Sequence, residues 1–178
     1  CLLSLLKFFE NTKLNIYKVK EVDTHGGSLR VYTTMNKSKK LHKSVSEYIE
    51  LEKKNKLDKF DTYLKFGEKV KNVKTKALEK LEKILDDDKK IIGYGAPAKA
   101  TTILNYFGLS DSHLKFTVDD NNLKHNKFIP GTNIEIKSLE SVNPLDYDYV
   151  LVLAWNFYEQ IKKSNKQNFS KAKFIKLK

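Results

Sequence analysis

The sequence contains very little cysteine and arginine, and it has no long apolar run. Its one cysteine, Cys1, excludes a disulfide framework and any zinc site built from cysteine pairs, so no metal is expected in this chain. No apolar stretch approaches the roughly 18 residues that a membrane-spanning helix requires, so no membrane association is expected. The 40% hydrophobic and 31% charged residues are typical of a globular protein. The single cysteine makes a reducing, cytoplasmic compartment the expectation.

Positive charge is abundant, but it comes almost entirely from lysine. The formal net charge is +12, and Arg30 is the one arginine. Proteins that read nucleic acids usually concentrate arginine, because its planar guanidinium group makes paired hydrogen bonds to bases. The lysines here are spread along predicted helical faces and the end of the chain. Nucleic-acid binding is therefore not favoured, although a basic, non-enzymatic interaction or nucleic-acid-binding module stays an alternative.

The first 37 residues predict a helix followed by two strands. Leucine and phenylalanine recur at helical spacing over residues 2–10, and apolar and polar residues alternate in "LNIYKVKEV" and "LRVYTTM". A helix and a hairpin need a larger sheet to complete their core. The chain also begins at Cys1 rather than methionine, which favours a piece of a longer protein over a lipid-anchored mature cysteine.

Residues 38–90 predict a helical connector. Apolar residues recur every three or four positions among lysines and glutamates, and we expect two amphipathic helices with a bend at Gly67. After residue 90, strand and helix patterns alternate with short loops. The fold expected for residues 91–178 is therefore α/β, with a Rossmann-like parallel sheet and flanking helices.

The stretch "GYGAPAKA" predicts an anion-binding turn between a strand and a helix. Gly93 and Gly95 occupy the first two positions of a dinucleotide-binding turn, where the first permits a sharp turn and the second lets the backbone approach a pyrophosphate. Ala98, in the third position, allows close packing of helix and strand. The helix N-terminus offers N–H groups to an anion, and Lys99 in its first turn is better placed if an anion neutralises it.

Four further residues are candidates for a binding site. Asp119 and Asp120 end the next predicted strand, where ribose hydroxyls are commonly held. His25 lies in the turn "THGGS", where it could act as an acid or a base near neutral pH. Asn156 follows a buried strand, at the edge where open α/β sheets bind ligands. A free-standing Rossmann module that binds NAD or another nucleotide stays an alternative function.

The motifs together resemble one enzyme family. "THGGSLRVY", "GYGAPAKATTILNYFGL", "VDD", "PGT" and "YVLVLAWNF" occur in an order similar to that of the S-adenosylmethionine-dependent sugar C-methyltransferases. These enzymes methylate a carbon of a nucleotide-linked keto-deoxysugar. The resemblance covers essentially the whole chain. It implies that residues 1–37 are the final helix and hairpin of a methyltransferase domain, 38–90 a connector, and 91–178 a C-terminal Rossmann-like nucleotide-sugar-binding domain.

The resemblance also implies which residues bind and which groups lie elsewhere. In the family, the loop that binds S-adenosylmethionine, the zinc cysteines and the Tyr-x-Glu-His motif of the general base all lie upstream of the position of Cys1. This chain alone is therefore expected to be inactive but to hold the nucleotide-linked sugar, and its oligomeric state is not indicated. The resemblance and the turn chemistry give one catalytic candidate, His25, and the substrate-binding candidates Gly26, Gly27, Ser28, Gly93, Tyr94, Gly95, Ala96, Lys99, Asp119, Asp120 and Asn156.

Overall fold

The structure, a computed structural model, describes residues 1–177 of the chain apart from the side chain of His25. The chain divides into two compact units, Cys1–Lys69 and Val70–Lys178. This division falls inside a predicted connector helix, and the domain boundaries expected from the sequence stay a prediction. Within the described residues, no helix combines the length and the apolar character needed to cross a membrane.

The first unit contains the helix and the hairpin that the sequence predicts. Its elements are the helix α1 (Leu2–Phe9), the strands β1 (Asn15–Val22) and β2 (Ser28–Thr34), and the helix α2 (Lys43–Lys54). The two strands pair antiparallel, from Asn15 opposite Thr34 to Val22 opposite Ser28. Apolar residues from three of these elements form a small buried core, which consists of Leu2, Ile16, Val19 and Val45.

The helix α3 (Phe60–Asp86) runs without interruption through Gly67, so Gly67 does not divide the connector into its two helices. The interruption comes earlier, at residues 55–59, where Asn55 caps α2 and Lys56 adopts a positive φ of 55°. A single glycine costs a helix only about 1 kcal/mol relative to alanine. The good helix formers on both sides of Gly67 outweigh that cost.

The second unit contains the end of α3 and a six-stranded sheet, which confirms the predicted Rossmann-like α/β fold. Its further elements are β3 (Ile91–Tyr94), α4 (Ala98–Phe107), β4 (Phe116–Val118), β5 (Lys127–Phe128), β6 (Glu135–Lys137), β7 (Tyr149–Val152), α5 (Tyr158–Asn165) and β8 (Lys173–Ile175). The strand order is β5-β6-β4-β3-β7-β8. All neighbouring strands are parallel except β5, which is antiparallel to β6. The sequence did not predict β5, because two residues show no periodicity.

Helices cover both faces of this sheet. Successive residues of a strand point to opposite faces, and the central strands therefore supply two separate cores. One core joins the sheet to α3 and α4 and includes Leu81, Ile91, Leu104 and Leu151. The other lies on the α5 side and includes Ile92, Val150 and Phe169, with Ile161 packed against it.

The strand order reverses beside β3. The chain passes from β3 to β4 and β6 on one side, and then crosses back to β7 and β8 on the other side. Open α/β sheets bind ligands outside the carboxyl ends of the strands at such a reversal. A ligand-binding site is therefore expected among the segments that follow β3, β4 and β7.

Candidate functional site

A cleft of about 340 Å³ opens at this reversal. We call it the switch-point cleft. The ends of β3 and β4 supply one side of it, and the segment after β7 and the helix α5 supply the other. Its lining residues include Tyr94, Gly95, Asp119, Asp120, Ala154 and Phe157. Four of these six residues, Tyr94, Gly95, Asp119 and Asp120, were predicted from the sequence.

The two glycines of the turn have roles that differ from those predicted. A Cβ on Gly93 would come within 2.7 Å of the Cβ of Thr117, so glycine at this position inside β3 lets β4 pack closely. The sharp turn lies at Gly95, whose φ is +88°. The predicted packing role of Ala98 is wrong, because Ala98 is exposed; Ala100 is the fully buried residue of this turn.

Replacing Gly95 with alanine should destabilise the second unit more than replacing Gly108. Both glycines have a positive φ, but a Cβ on Gly95 would meet the Cβ of Ala154 at 2.9 Å, whereas a Cβ on Gly108 would meet nothing within 4 Å. The left-handed backbone costs about 1 kcal/mol in each variant, and the steric conflict adds about 1–2 kcal/mol in Gly95→Ala. Urea unfolding followed by the fluorescence of Trp155, the one tryptophan of the chain, measures the difference. Equal losses would show that the contact with Ala154 relaxes freely.

Asp119 ties the loop after β3 to the loop after β4. Its Oδ2 accepts hydrogen bonds from the Ala96 N–H at 2.6 Å and from the Lys124 ammonium at 3.0 Å. Its Oδ1 accepts one from the Asn121 N–H at 2.9 Å. Burial opposes the charge of Asp119, but these three hydrogen bonds outweigh it and lower the pKa of the carboxyl group. Both oxygens of Asp119 are thus engaged within the protein.

Asp120 is held differently, although it is the next residue. The hydroxyl of Tyr94 donates a hydrogen bond to its Oδ1 at 2.8 Å, and the carboxylate is exposed at the mouth of the cleft. Burial, together with the hydrogen bond to Asp120, raises the pKa of Tyr94 to about 12. Tyr94 therefore stays a neutral donor at physiological pH, and it orients a carboxylate that is open to solvent.

The backbone of the turn offers fewer free N–H groups than the sequence suggests. The N–H groups of Gly95 and Ala96 already donate to oxygen atoms of the protein, at 2.7 and 2.6 Å. Pro97 has no N–H group. The first groups that could donate to an anion are those of Ala98 and Lys99, which lie in the first turn of α4 and have no partner within the helix.

Lys99 contacts an aromatic ring. Its Nζ lies 5.0 Å from the centroid of the Trp155 ring, in the range of a cation–π interaction. Trp155 and the exposed Asn156 belong to a short 3-10 turn that follows β7. Neither Lys99 nor Asn156 lines the switch-point cleft. Their predicted binding roles stay predictions.

The turn between β1 and β2 belongs to the first unit. Gly26 and Gly27 have positive φ values of 87° and 113°, and the Ser28 hydroxyl donates to the Thr24 carbonyl at 3.0 Å. The side chain of His25 lies outside the described part of the structure. The predicted catalytic role of His25 and the binding roles of Gly26, Gly27 and Ser28 therefore stay predictions.

Several residues at the site were not predicted from the sequence. Lys124 bridges Asp119 and the Ala96 carbonyl, which it contacts at 3.1 Å. Gln160 and Asn165 reach the cleft from α5. A lysine, glutamine or asparagine in a polar segment is not part of a sequence motif that would identify it as a binding residue. Over residues 1–177, apart from the side chain of His25, no group of three or more His, Cys, Asp or Glu residues is placed to hold a metal ion.

Comparison with known proteins identifies the family. Residues 23–176 match the family described as the C-methyltransferase C-terminal domain. The chain belongs to this family. It is also 31% identical over 165 residues to the C-methyltransferase NovU of Streptomyces niveus. That alignment covers 92% of this chain and 39% of NovU, so the chain spans about two fifths of the length of this relative.

The match to the C-methyltransferase C-terminal domain confirms the family resemblance seen in the sequence. The matched residues 23–176 include every residue that lines the switch-point cleft, and they also include the turn at residues 25–28. The cleft therefore lies within the part of the chain that matches the family.

Proposed function

We propose that this chain is the nucleotide-sugar-binding part of an S-adenosylmethionine-dependent sugar C-methyltransferase. The enzyme would transfer a methyl group to a carbon of a keto-deoxysugar that is linked to a nucleotide. The observation that supports a binding role is the switch-point cleft, where an oriented, exposed carboxylate lies at the strand reversal of the sheet. Membership of the C-methyltransferase family supports the methyl transfer.

The nucleotide would be held by two groups of the second unit. Asp120 would accept hydrogen bonds from ribose hydroxyls, because its carboxylate is exposed and Tyr94 orients it. Asp119 suits this role less well, since both of its oxygens already accept hydrogen bonds from the protein. The first-turn N–H groups of α4 and the ammonium of Lys99 would bind phosphate oxygens.

No residue of this chain is assigned here to the binding of S-adenosylmethionine or zinc. S-adenosylmethionine supplies the methyl group when it is bound to the intact enzyme. The turn after β3 does not fit it as a glycine loop, because the N–H groups of Gly95 and Ala96 are engaged with protein oxygens. The part of these residues in the reaction is to hold the nucleotide and so position the sugar. His25 is proposed as an acid or base of the same reaction, and we expect no methyl transfer by the 178-residue chain alone.

Replacing Asp120 with asparagine should weaken binding of a deoxythymidine-diphosphate-linked deoxysugar. A hydrogen bond from a ribose hydroxyl to a carboxylate is worth about 1.5–3 kcal/mol, which predicts a loss in affinity of about tenfold or more. Isothermal titration calorimetry measures the dissociation constant. Glu140→Gln removes a charge from an exposed residue of the same unit that does not line the cleft, and it should leave the affinity within about twofold.

Three results of that titration would count against the proposal. Unchanged affinity in Asp120→Asn would remove the ribose role of Asp120. Absence of heat with the wild-type chain would contradict binding of the nucleotide sugar by this domain. Tighter binding of NAD, with displacement of the deoxysugar nucleotide, would favour the alternative of a dinucleotide-binding module.

A further inference from the structure

A second cavity, of about 330 Å³, lies at the amino ends of the parallel strands, opposite the switch-point cleft at their carboxyl ends. We call it the basal cavity. It is lined by Leu85, residues 89–91, residues 111–113 and 115–116, and Tyr147. Residues 90 and 115 directly precede β3 and β4, whereas the switch-point cleft lies beyond the other ends of these strands. The two cavities are therefore separate.

The polar part of the basal cavity is basic. Lys89, Lys90 and Lys115 line it, and Asp111 is the one acidic lining residue. Lys89 is 3.5 Å from Asp148. In the described part of the chain, no ion pair within 4 Å engages the ammonium of Lys90 or Lys115. Asp148 also interacts electrostatically with Lys90. Three lysines against one acidic residue in the lining still favour an anion.

His113 adds a possible N–H donor beside these lysines. Its Nδ1 accepts a hydrogen bond from the Ser110 N–H at 3.3 Å and lies 3.0 Å from the Ser112 hydroxyl. A neutral imidazole whose Nδ1 is an acceptor carries its proton on Nε2. The ring therefore has a second nitrogen that can donate to a ligand, and it does not need a positive charge to do so.

The rest of the basal cavity is apolar and aromatic. Leu85 and Ile91 supply aliphatic surface. The rings of Phe116 and Tyr147 meet edge to face, with their centroids 5.8 Å apart. Burial, with the nearby Asp146 as a smaller cause, raises the pKa of Tyr147, so this wall stays uncharged at neutral pH. Such a wall suits a planar ring, which stacks on or abuts aromatic side chains.

We propose that the basal cavity binds a small aromatic anion, a single planar ring that carries a phosphate or a carboxylate group. The ring occupies the space between the aliphatic residues and the Phe116–Tyr147 pair, and the anionic group lies between Lys90 and Lys115 with His113 as a further donor. The volume is at the lower end of the range of small-molecule sites, about 300–1,000 Å³, and it has room for one ring and one anionic group. This site is independent of the function proposed for the switch-point cleft.

Phenyl phosphate and benzoate are the probes that test this site, by amide chemical-shift changes in the ¹⁵N-labelled chain. We expect at least one of them to shift the amide signals of residues 89–91 and 111–116, and to bind more tightly than inorganic phosphate or acetate. The double variant Lys90→Gln/Lys115→Gln should weaken this binding about tenfold or more, since it removes two charge-assisted contacts. Comparing the two probes identifies the anionic group as phosphate or carboxylate.

The matched control is the double variant Lys163→Gln/Lys171→Gln, which removes the same charge from two exposed lysines that line neither cavity. It should leave the affinity within about twofold, because exposed charges at a distance are screened by salt. Equal weakening in both double variants would show that the probes bind through non-specific attraction to a basic protein, and it would overturn the proposal. So would shifts confined to Gly95, Asp119 and Asp120, equal affinity for inorganic phosphate, or no shifts with either probe at millimolar concentration.

Discussion

Replacing Asp119 with asparagine will destabilise the second unit by about 2–4 kcal/mol, because the carboxylate accepts hydrogen bonds at both oxygens and is largely buried. Asparagine has the same shape but only one acceptor oxygen. In one orientation its NH₂ group faces the Asn121 N–H, and in the other it faces the Ala96 N–H and the Lys124 ammonium. Either orientation places donors against each other, so the side chain cannot satisfy the two loops it joins.

Urea unfolding followed by Trp155 fluorescence measures this loss, since Trp155 lies in the second unit. Asp120→Asn is the matched control. It makes the same chemical change at the adjacent residue, but at an exposed carboxylate with one hydrogen bond from Tyr94, and it should cost about 1 kcal/mol or less. Asp119→Asn should thus mainly lower the stability of the second unit, whereas Asp120→Asn should mainly weaken binding of the nucleotide sugar. Equal destabilisation by both would contradict the distinct roles of the two carboxylates.

The effect of Asp119→Asn should also depend on pH in a defined direction. The pKa of Asp119 is lower in the folded protein than the usual value of about 3.9. A carboxyl group with a lowered pKa stabilises the fold fully above its unfolded pKa, and this stabilisation is lost as the pH falls through the folded value. The difference between wild type and Asp119→Asn should therefore be constant between about pH 5 and 8 and shrink below about pH 4.

Replacing Glu52 with glutamine should loosen the first unit to a similar extent, by about 2–4 kcal/mol. Glu52 is only 3% exposed, and its two oxygens accept hydrogen bonds from the N–H groups of Leu2 at 2.5 Å and Leu3 at 2.8 Å. These are the first N–H groups of α1, where the helix dipole favours a negative charge. A glutamine side chain loses that charge and turns its NH₂ group toward one of the two donors.

Hydrogen exchange across α1 and β1 measures the loosening, because Trp155 does not report on the first unit. Amides of α1 and β1 should exchange about 30-fold faster or more in Glu52→Gln, as a loss of about 2 kcal/mol in local stability requires. Glu50→Gln makes the same change on an exposed face of the same helix, α2, and should leave exchange almost unaltered. If exchange is the same in both variants, the buried carboxylate does not stabilise α1.

The helices and strands that could be predicted from the sequence are those in which burial produces a recognisable pattern of apolar residues. Strands β3 and β7 are buried on both faces and read as continuous apolar runs, and α4 begins after a proline and ends at a glycine. The strand β5 has no such signal, because it is two residues long and is defined by pairing with β6. The interruption between α2 and α3 was misplaced at Gly67 for a related reason. A glycine inside a helix and a glycine at a helix end have the same local sequence signal, and the neighbouring helix formers decide between them.

The sequence indicated several residues that line the switch-point cleft, but not how their contacts differ. Asp119 and Asp120 follow the same strand, and no pattern shows which one is retained inside the protein. They differ in the partners that the fold brings to them, since Asp119 meets Lys124 and Asp120 meets the Tyr94 hydroxyl. The contact of Lys99 with Trp155 could not be predicted from the sequence either. It joins residues that are distant in the chain and near only after folding.

The two ends of the six-stranded sheet bear on how the protein behaves in concentrated solution. The edge strands β5 and β8 contain two and three residues, and each begins with an exposed lysine, Lys127 or Lys173. So short a strand presents few backbone N–H and C=O groups to another chain, and a charged ammonium resists burial in a newly formed strand pair. The sheet is therefore poorly suited to grow by adding strands from neighbouring copies, and its short, charged edge strands oppose fibrous aggregation.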